Sequence, residues 1–299
     1  VTHDGRQLEC LLEKIHSEWG FDFRGYKETT LTRRLGRRLR ARGAETYSDY
    51  ACVLDRDPAE YGKLFNDLTI NVTSFFRDEV AFKALAEQVL PALIGEHGKA
   101  ASTCRCLQIW SAGCATGQEP YSIAMLLLEM LHPEVETRHA VSLRCNVTIR
   151  APEVETRHAV SLRCNVTIRA TDIDAKALQR AQEGVFTAKD VEGIRPAWLG
   201  RYFVPDGDGF RVQPVLRQLV TFEAHNLVSD APHRDLDLVV CRNVLIYFAP
   251  ALQTRVLRSF HEGLKEGGFL LLGKAEVPAG ETERLFHRID KKAKLYQKM

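Results

Sequence analysis

A chain of 299 residues with 45% hydrophobic content is long enough to bury one large core and a smaller one, which excludes disorder as its main state. A net charge of +2 supplies no global field for holding nucleic acid, and apolar runs such as 123–128 and 269–272 fall far short of the roughly 20 residues a membrane span requires. Residues 1–20 show no secretory pattern and the eight cysteines lack zinc-ligand spacing, so a cytoplasmic protein with reduced, mostly buried thiols and no metal is expected.

In chain order, residues 1–75 join short amphipathic segments with Gly and Pro punctuation and predict a small helical domain. Within it, KETTLTRRLGRRLRAR at 27–42 places Leu31, Leu35 and Leu39 on one stripe and Arg33, Arg37 and Arg40 on the opposite face, flanked by Arg34 and Arg38. No acid interrupts these arginines, and like charges on one face repel, so an acidic partner is expected for them. Residues 76–103 read as a connecting helix over 82–94 followed by a small-residue, polar linker over 95–103. From 104 to 299, apolar runs alternate with amphipathic helices, the pattern of a parallel sheet covered on both faces. Strands are expected at 107–111, 166–171, 220–223, 236–241, 268–273 and 294–297. The stretch 186–219 breaks the rhythm with Pro196, Pro205, Pro214 and the turn PDGDG, and predicts an inserted antiparallel β subdomain.

One segment repeats. Residues 133–151, PEVETRHAVSLRCNVTIRA, recur unchanged as 152–170. A solenoid would show more copies with drifted sequence, so perfect identity marks a recent or man-made tandem duplication. Only the second copy runs into Thr171 and Asp172, so it should form the strand and the first copy should be expelled between helix and strand.

The chemistry concentrates at strand ends. IWSAGCATGQEPY at 109–121 is an apolar strand entering a loop with Gly113 and Gly117 and then a helix, an arrangement suited to a nucleotide or nucleoside. Glu119 would repel a diphosphate there but favours S-adenosylmethionine, which carries a cation and no phosphate. Asp172, ending the next strand, is the natural ligand for ribose hydroxyls, and Asp174 reads as a helix N-cap. LDLVVCRNVLIYF at 236–248 sets Arg242, Asn243 and Tyr247 after a buried strand. It lacks the Asn/Asp-Pro-Pro-aromatic sequence of base amino methylation and the Pro-Cys of ring-carbon methylation, and its guanidinium and phenol suit an anionic acceptor.

The blocks LTINVTSFFRD (68–78), SAGCATGQEPYSIA (111–124), ATDID (170–174), HNL (225–227) and CRNVLIYF (241–248) together resemble, in order, the signature blocks of CheR-type chemotaxis receptor methyltransferases. The resemblance implies an N-terminal all-α domain, a Rossmann-like methyltransferase domain of the α/β class and a small inserted β subdomain. It implies methyl transfer from S-adenosylmethionine to receptor glutamates, with S-adenosylhomocysteine as product and the cytoplasmic helical domain of a receptor as partner. The enzyme would then meet the membrane only through that receptor. Asn71, Thr73 and Arg77 would contact the cofactor, with Glu119 and Asp172 at its amino-acid and ribose parts. Asn226 and Leu227 would surround adenine, and Arg77, Arg242, Asn243 and Tyr247 would stand at the reactive end. Two other readings stay open: a nucleic-acid methyltransferase using the arginine face, and a non-catalytic cofactor-binding signalling module. The loop in FVPDGDGFRV at 203–212 looks shorter than in members that dock on a receptor pentapeptide, so a tether-independent enzyme is expected.

Overall fold

The computed structural model describes residues 3–69, 71–99, 106–131 and 165–299, which form two compact units, Val1–Asn71 with Val244–Val256 and Val72–Asn243 with Leu257–Met299. The first unit holds α1 (His3–Trp19), α2 (Glu28–Arg42), α3 (Tyr47–Arg56) and α4 (Ala59–Leu68). Gly43 closes α2 in a left-handed C-cap, and Thr46 opens α3 with a capping box, its Oγ accepting the Asp49 N–H at 3.1 Å. Leu31, Leu35 and Leu39 are buried as their spacing predicts, and Arg33, Arg37 and Arg40 are exposed. Arg34 and Arg38 behave differently. Arg34 is buried and donates to the carbonyl of Asp67, while Arg38 Nε donates to Glu60 Oε1 at 2.9 Å. Glu60 is fully buried and also accepts the Tyr50 hydroxyl at 2.9 Å.

The unit also takes in residues 244–256 from far along the chain. Lys27 N–H donates to the Tyr247 carbonyl at 2.8 Å and Ala249 N–H to the Gly25 carbonyl at 2.9 Å, so this segment lies against 25–27. Edge-on rings of Phe21, Phe23, Tyr26 and Phe248 fill the space beside it.

In the second unit, α5 (Glu79–Ala84) runs through a π-helical turn (Leu85–Val89) into α6 (Leu90–Lys99). There follow β1 (Cys106–Ala112), α7 (Gln118–Leu131), β2 (Asn165–Asp172) and α8 (Ala175–Glu183). Then come β3 (Val185–Thr187), α9 (Pro196–Tyr202), β4 (Phe203–Asp206), β5 (Gly209–Val212), α10 (Pro214–Arg217), β6 (Val220–Ala224) and β7 (Leu236–Cys241). The chain ends with α11 (Pro250–Gly263), β8 (Leu264–Leu272), β9 (Phe286–Asp290) and β10 (Leu295–Lys298). The main sheet has the order β6-β2-β1-β7-β8-β10-β9, and the neighbours from β6 to β8 pair in parallel. All six residues of β7 are buried, as a strand covered on both faces must be. The inserted segment forms the separate antiparallel sheet β3-β5-β4, with β4 and β5 joined by the two-residue turn Gly207-Asp208.

Four expectations need correction or restriction. The final strand is not part of the parallel array: β10 pairs antiparallel with β8 and β9, and β9 itself was not anticipated, because of its residues only Phe286 is buried. The connecting helix continues to Lys99, so 95–99 are helical rather than linker. Among the described cysteines only Cys114 and Cys241 are buried, while Cys10, Cys52 and Cys106 are exposed; two sit on solvent faces of helices and one opens a strand. The duplication meets the sheet through its second copy, whose residues 165–170 supply most of β2, and the first copy lies outside the described residues.

Candidate active site

In open α/β sheets the ligand crevice lies beyond the carboxyl ends of the strands where the strand order reverses. Here β1 is flanked by β2 on one side and β7 on the other, which makes the ends of β1 and β7 that switch point. The loop after β1 is tied to β2: the N–H groups of Gly113 and Cys114 both donate to the Thr171 carbonyl, at 2.8 and 2.9 Å. Ala115 N–H donates to Asp172 Oδ2 at 2.8 Å, and Asp174 N–H to Asp172 Oδ1 at 2.9 Å. Gly117 has φ +93°, and a Cβ there would lie 2.9 Å from the Ala181 side chain, so loop and α8 meet closely only because it is glycine. Asp174 caps α8, accepting the N–H groups of Lys176 and Ala177.

Glu119, in the first turn of α7, is buried, and its carboxylate accepts the Ser111 hydroxyl at 2.9 Å. It faces Arg242 Nη1, from the end of β7, at 3.4 Å. Arg242 is buried too: Nη2 donates to the Arg77 carbonyl at 2.6 Å, lies 3.5 Å from Asp78, and the guanidinium stands 5.4 Å from the Phe82 ring centre. The crevice thus joins the ends of β1, β2 and β7 to the 72–78 segment within one unit. Left-handed backbone collects at the same place, with φ of +50° at Phe76, +69° at Asp78, +48° at Ala115 and +61° at Asn243. Such non-glycine conformations persist only where surrounding contacts hold them.

Charge in the crevice is unbalanced. Burial pushes the Glu119 carboxyl above its ordinary range, against the opposing pull of Arg242 and Ser111. Burial likewise raises Asp172, with the backbone donors working against it. Cys114 and Cys241 are held as neutral thiols by burial, reinforced by nearby carboxylates, so neither is an activated nucleophile. Two desolvated acids, Glu119 beside Arg242 and Asp172 among backbone donors, fit a cationic nucleoside and disfavour a diphosphate. Among the described residues no group of three or more His, Cys, Asp or Glu could hold a metal ion.

Of the residues singled out from sequence, Arg77, Gly113, Glu119, Asp172, Arg242 and Asn243 stand around this crevice. Arg77 turns its own guanidinium back to the Val72 carbonyl at 2.6 Å, leaving Asp78 to pair with Arg242. Thr73 is partly exposed in the irregular segment 71–74. Asn226 Oδ1 accepts the Val228 N–H at 2.9 Å, and its own N–H donates to Asp230, so 226–230 is a self-bonded turn holding Leu227. His225 N–H joins that turn to the Asp172 carbonyl at 3.0 Å. Asn71 and Tyr247 belong to the helical unit, as do Arg33, Arg37 and Arg40. Sequence reasoning did not single out Asp78 or Ser111 as Arg242 and Glu119 partners, though both lie inside quoted blocks, and it missed Glu276, which carries no motif signal.

A Rossmann-like sheet with desolvated acids at its switch point fits a domain that binds a nucleoside cofactor. The comparisons with known proteins agree: residues 71–143 and 151–294 match the CheR methyltransferase SAM-binding domain, and residues 6–69 match the CheR methyltransferase all-alpha domain. The chain belongs to the CheR methyltransferase family. It is 32% identical over 263 residues to a chemotaxis protein methyltransferase of Listeria monocytogenes, covering 88% of this chain and 86% of that one. It is 35% identical over 213 residues to chemotaxis protein methyltransferase 1 of Pseudomonas aeruginosa, covering 70% and 67%. An uncharacterized 104.1 kDa protein of Rhodobacter capsulatus is 34% identical over 270 residues, which are 90% of this chain but only 25% of that protein. Among the described residues no helix is long and apolar enough to cross a membrane.

Proposed function

We propose that this chain methylates glutamate side chains of a chemotaxis receptor, using S-adenosylmethionine and releasing S-adenosylhomocysteine. The observation that supports it most is the buried Glu119–Arg242 pair at the switch point, in a chain whose relatives include chemotaxis protein methyltransferases. When bound, S-adenosylmethionine supplies an electrophilic methyl group on a sulfonium cation. Glu119 and Asp172 offer the cation and the ribose hydroxyls their charge and acceptors, and Arg242 keeps the Glu119 carboxylate turned inward. The acceptor glutamate is already an anion at neutral pH, with an ordinary pKa of about 4.3, so no general base is needed. What the chain must do is align a carboxylate oxygen with the methyl carbon and exclude water. Arg77 and Arg242 are the side chains assigned to holding that carboxylate, and the exposed Arg33, Arg37 and Arg40 are assigned to docking an acidic receptor helix. The protein then works in the cytoplasm, reaching the membrane through its receptor.

Incubation with methyl-labelled S-adenosylmethionine and receptor-rich membranes tests this. Label on a receptor-sized protein that is released as methanol by mild base is the expected result, since esters hydrolyse there and methylated amines do not. Base-stable label on nucleic acid would instead establish the nucleic-acid reading, and cofactor binding without transfer the signalling-module reading.

A further inference from the structure

Beyond β8 the chain makes a tight turn in which Glu276 N–H donates to the Gly273 carbonyl at 2.9 Å, and the Glu276 side chain is buried, 4% exposed. A single oxygen, Oε2, accepts the Gly273 N–H at 2.6 Å and the Asn243 N–H at 3.1 Å. The carboxylate therefore joins the ends of β7 and β8 through two backbone donors on one oxygen. The packing leaves no slack: a Cβ on Gly273 would lie 2.6 Å from that oxygen and 2.7 Å from Asn243 N. Asn243 is held in the left-handed region, at φ +61°, and its chain neighbour is Arg242, which faces Glu119.

We propose that Glu276 is a positioning residue of the methyl-transfer site. Its carboxylate fixes the Arg242–Asn243 backbone, and its charge makes the crevice prefer the sulfonium cation to the neutral thioether product. The proposal rests on reading this crevice as the S-adenosylmethionine site but not on the nature of the acceptor. Glu276 lies within electrostatic range of Glu119 and raises it further, so it adds to the acidic side of a crevice in which Glu119 and Asp78 both face Arg242. Sulfonium and thioether ligands share almost every other contact, so a change in crevice charge appears in the ratio of their affinities.

Glu276→Gln keeps an oxygen acceptor of the same shape and removes the charge, whereas Glu276→Ala removes both. Calorimetric affinities for S-adenosylmethionine and S-adenosylhomocysteine would be measured on the parent and both variants, with thermal unfolding beside them. Glu276→Gln should weaken S-adenosylmethionine about fivefold to tenfold and S-adenosylhomocysteine less than about twofold, with little change in unfolding temperature. Glu276→Ala should weaken both ligands and unfold earlier. Unchanged affinities for both ligands in the Gln variant, or an equal loss for both, would overturn the proposal by leaving a purely structural residue. A parent that binds neither ligand would remove the cofactor reading itself.

Discussion

Glu119 is held where its charge is costly. It is 9% exposed, its carboxyl is raised above the ordinary value by burial, and one oxygen faces Arg242 while the other accepts from Ser111. A carboxyl whose folded value is raised binds its proton more tightly folded than unfolded. Its ionisation therefore subtracts stability as pH rises from the ordinary 4.5 toward the raised value, and the loss is complete above it. Replacing it would usually strand the buried partner, but Arg242 keeps Asp78 at 3.5 Å and the Arg77 carbonyl at 2.6 Å. Glu119→Gln should therefore unfold at a higher temperature than the parent at pH 8 without ligand, and the difference should vanish below pH 4.5. The same variant should bind S-adenosylmethionine at least about tenfold more weakly, the signature of a residue kept for binding against stability. A Gln variant that is less stable than the parent at pH 8 would mean that Glu119 serves Arg242 rather than a ligand.

At the scale of elements, α2 carries two sets of arginines that the sequence cannot separate. Periodicity shows the leucine stripe because burial follows 3.6 residues per turn, and it shows Arg33, Arg37 and Arg40 opposite. It cannot show that Arg38 is answered by Glu60 and Asp67, which are 22 and 29 residues away. The difference is testable. Arg38→Ala leaves the fully buried Glu60 without its main partner, a loss on the order of 3–5 kcal/mol, and chemical denaturation of the variant should show it. Arg33→Glu with Arg37→Glu alters only exposed positions, so unfolding should hardly move, while receptor methylation should fall and lose its sensitivity to added salt. Equal methylation by parent and double variant at all salt concentrations would make that face a solvated surface. The same limit explains the rest of what was and was not legible. Central strands announce themselves by continuous apolar runs, as β7 does, whereas β9 is mostly exposed and forms because β10 offers it an edge. The loops bearing Glu119, Asp172 and Arg242 were legible as strand ends. Glu276 and the left-handed backbone at Phe76 and Asn243 were not, since both are fixed by tertiary contacts.

For the whole molecule, the tandem repeat sets two identical candidates against one place in the sheet. Residues 165–172 form β2, pairing with β1 from Cys106↔Asn165 to Ala112↔Thr171 and with β6 from Ile168↔Val220 to Asp172↔Ala224. Only the second copy continues without a break into Thr171 and Asp172, so only it delivers the carboxylate to the crevice while keeping the Gly113 and Ala115 contacts. The SAM-binding family match also passes over residues 144–150, within the first copy. Removing 133–151 leaves Leu131, Asn165 and everything after them in the same order, and roughly halving a connection changes its closure entropy by only about 0.6 kcal/mol. The deletion protein should thus fold, bind S-adenosylmethionine with the parent's affinity and unfold within a few degrees of it. Ile168 is fully buried in β2, and Ile168→Asp would place an unpaired charge in the sheet interior, so that variant should lose both folding and cofactor binding. Its repeat counterpart, Ile149→Asp, should cost little in either measurement. Circular dichroism melts and cofactor calorimetry on the three proteins decide the matter: if Ile149→Asp is as damaging as Ile168→Asp, or if the deletion abolishes binding, both copies contribute to the folded catalytic unit.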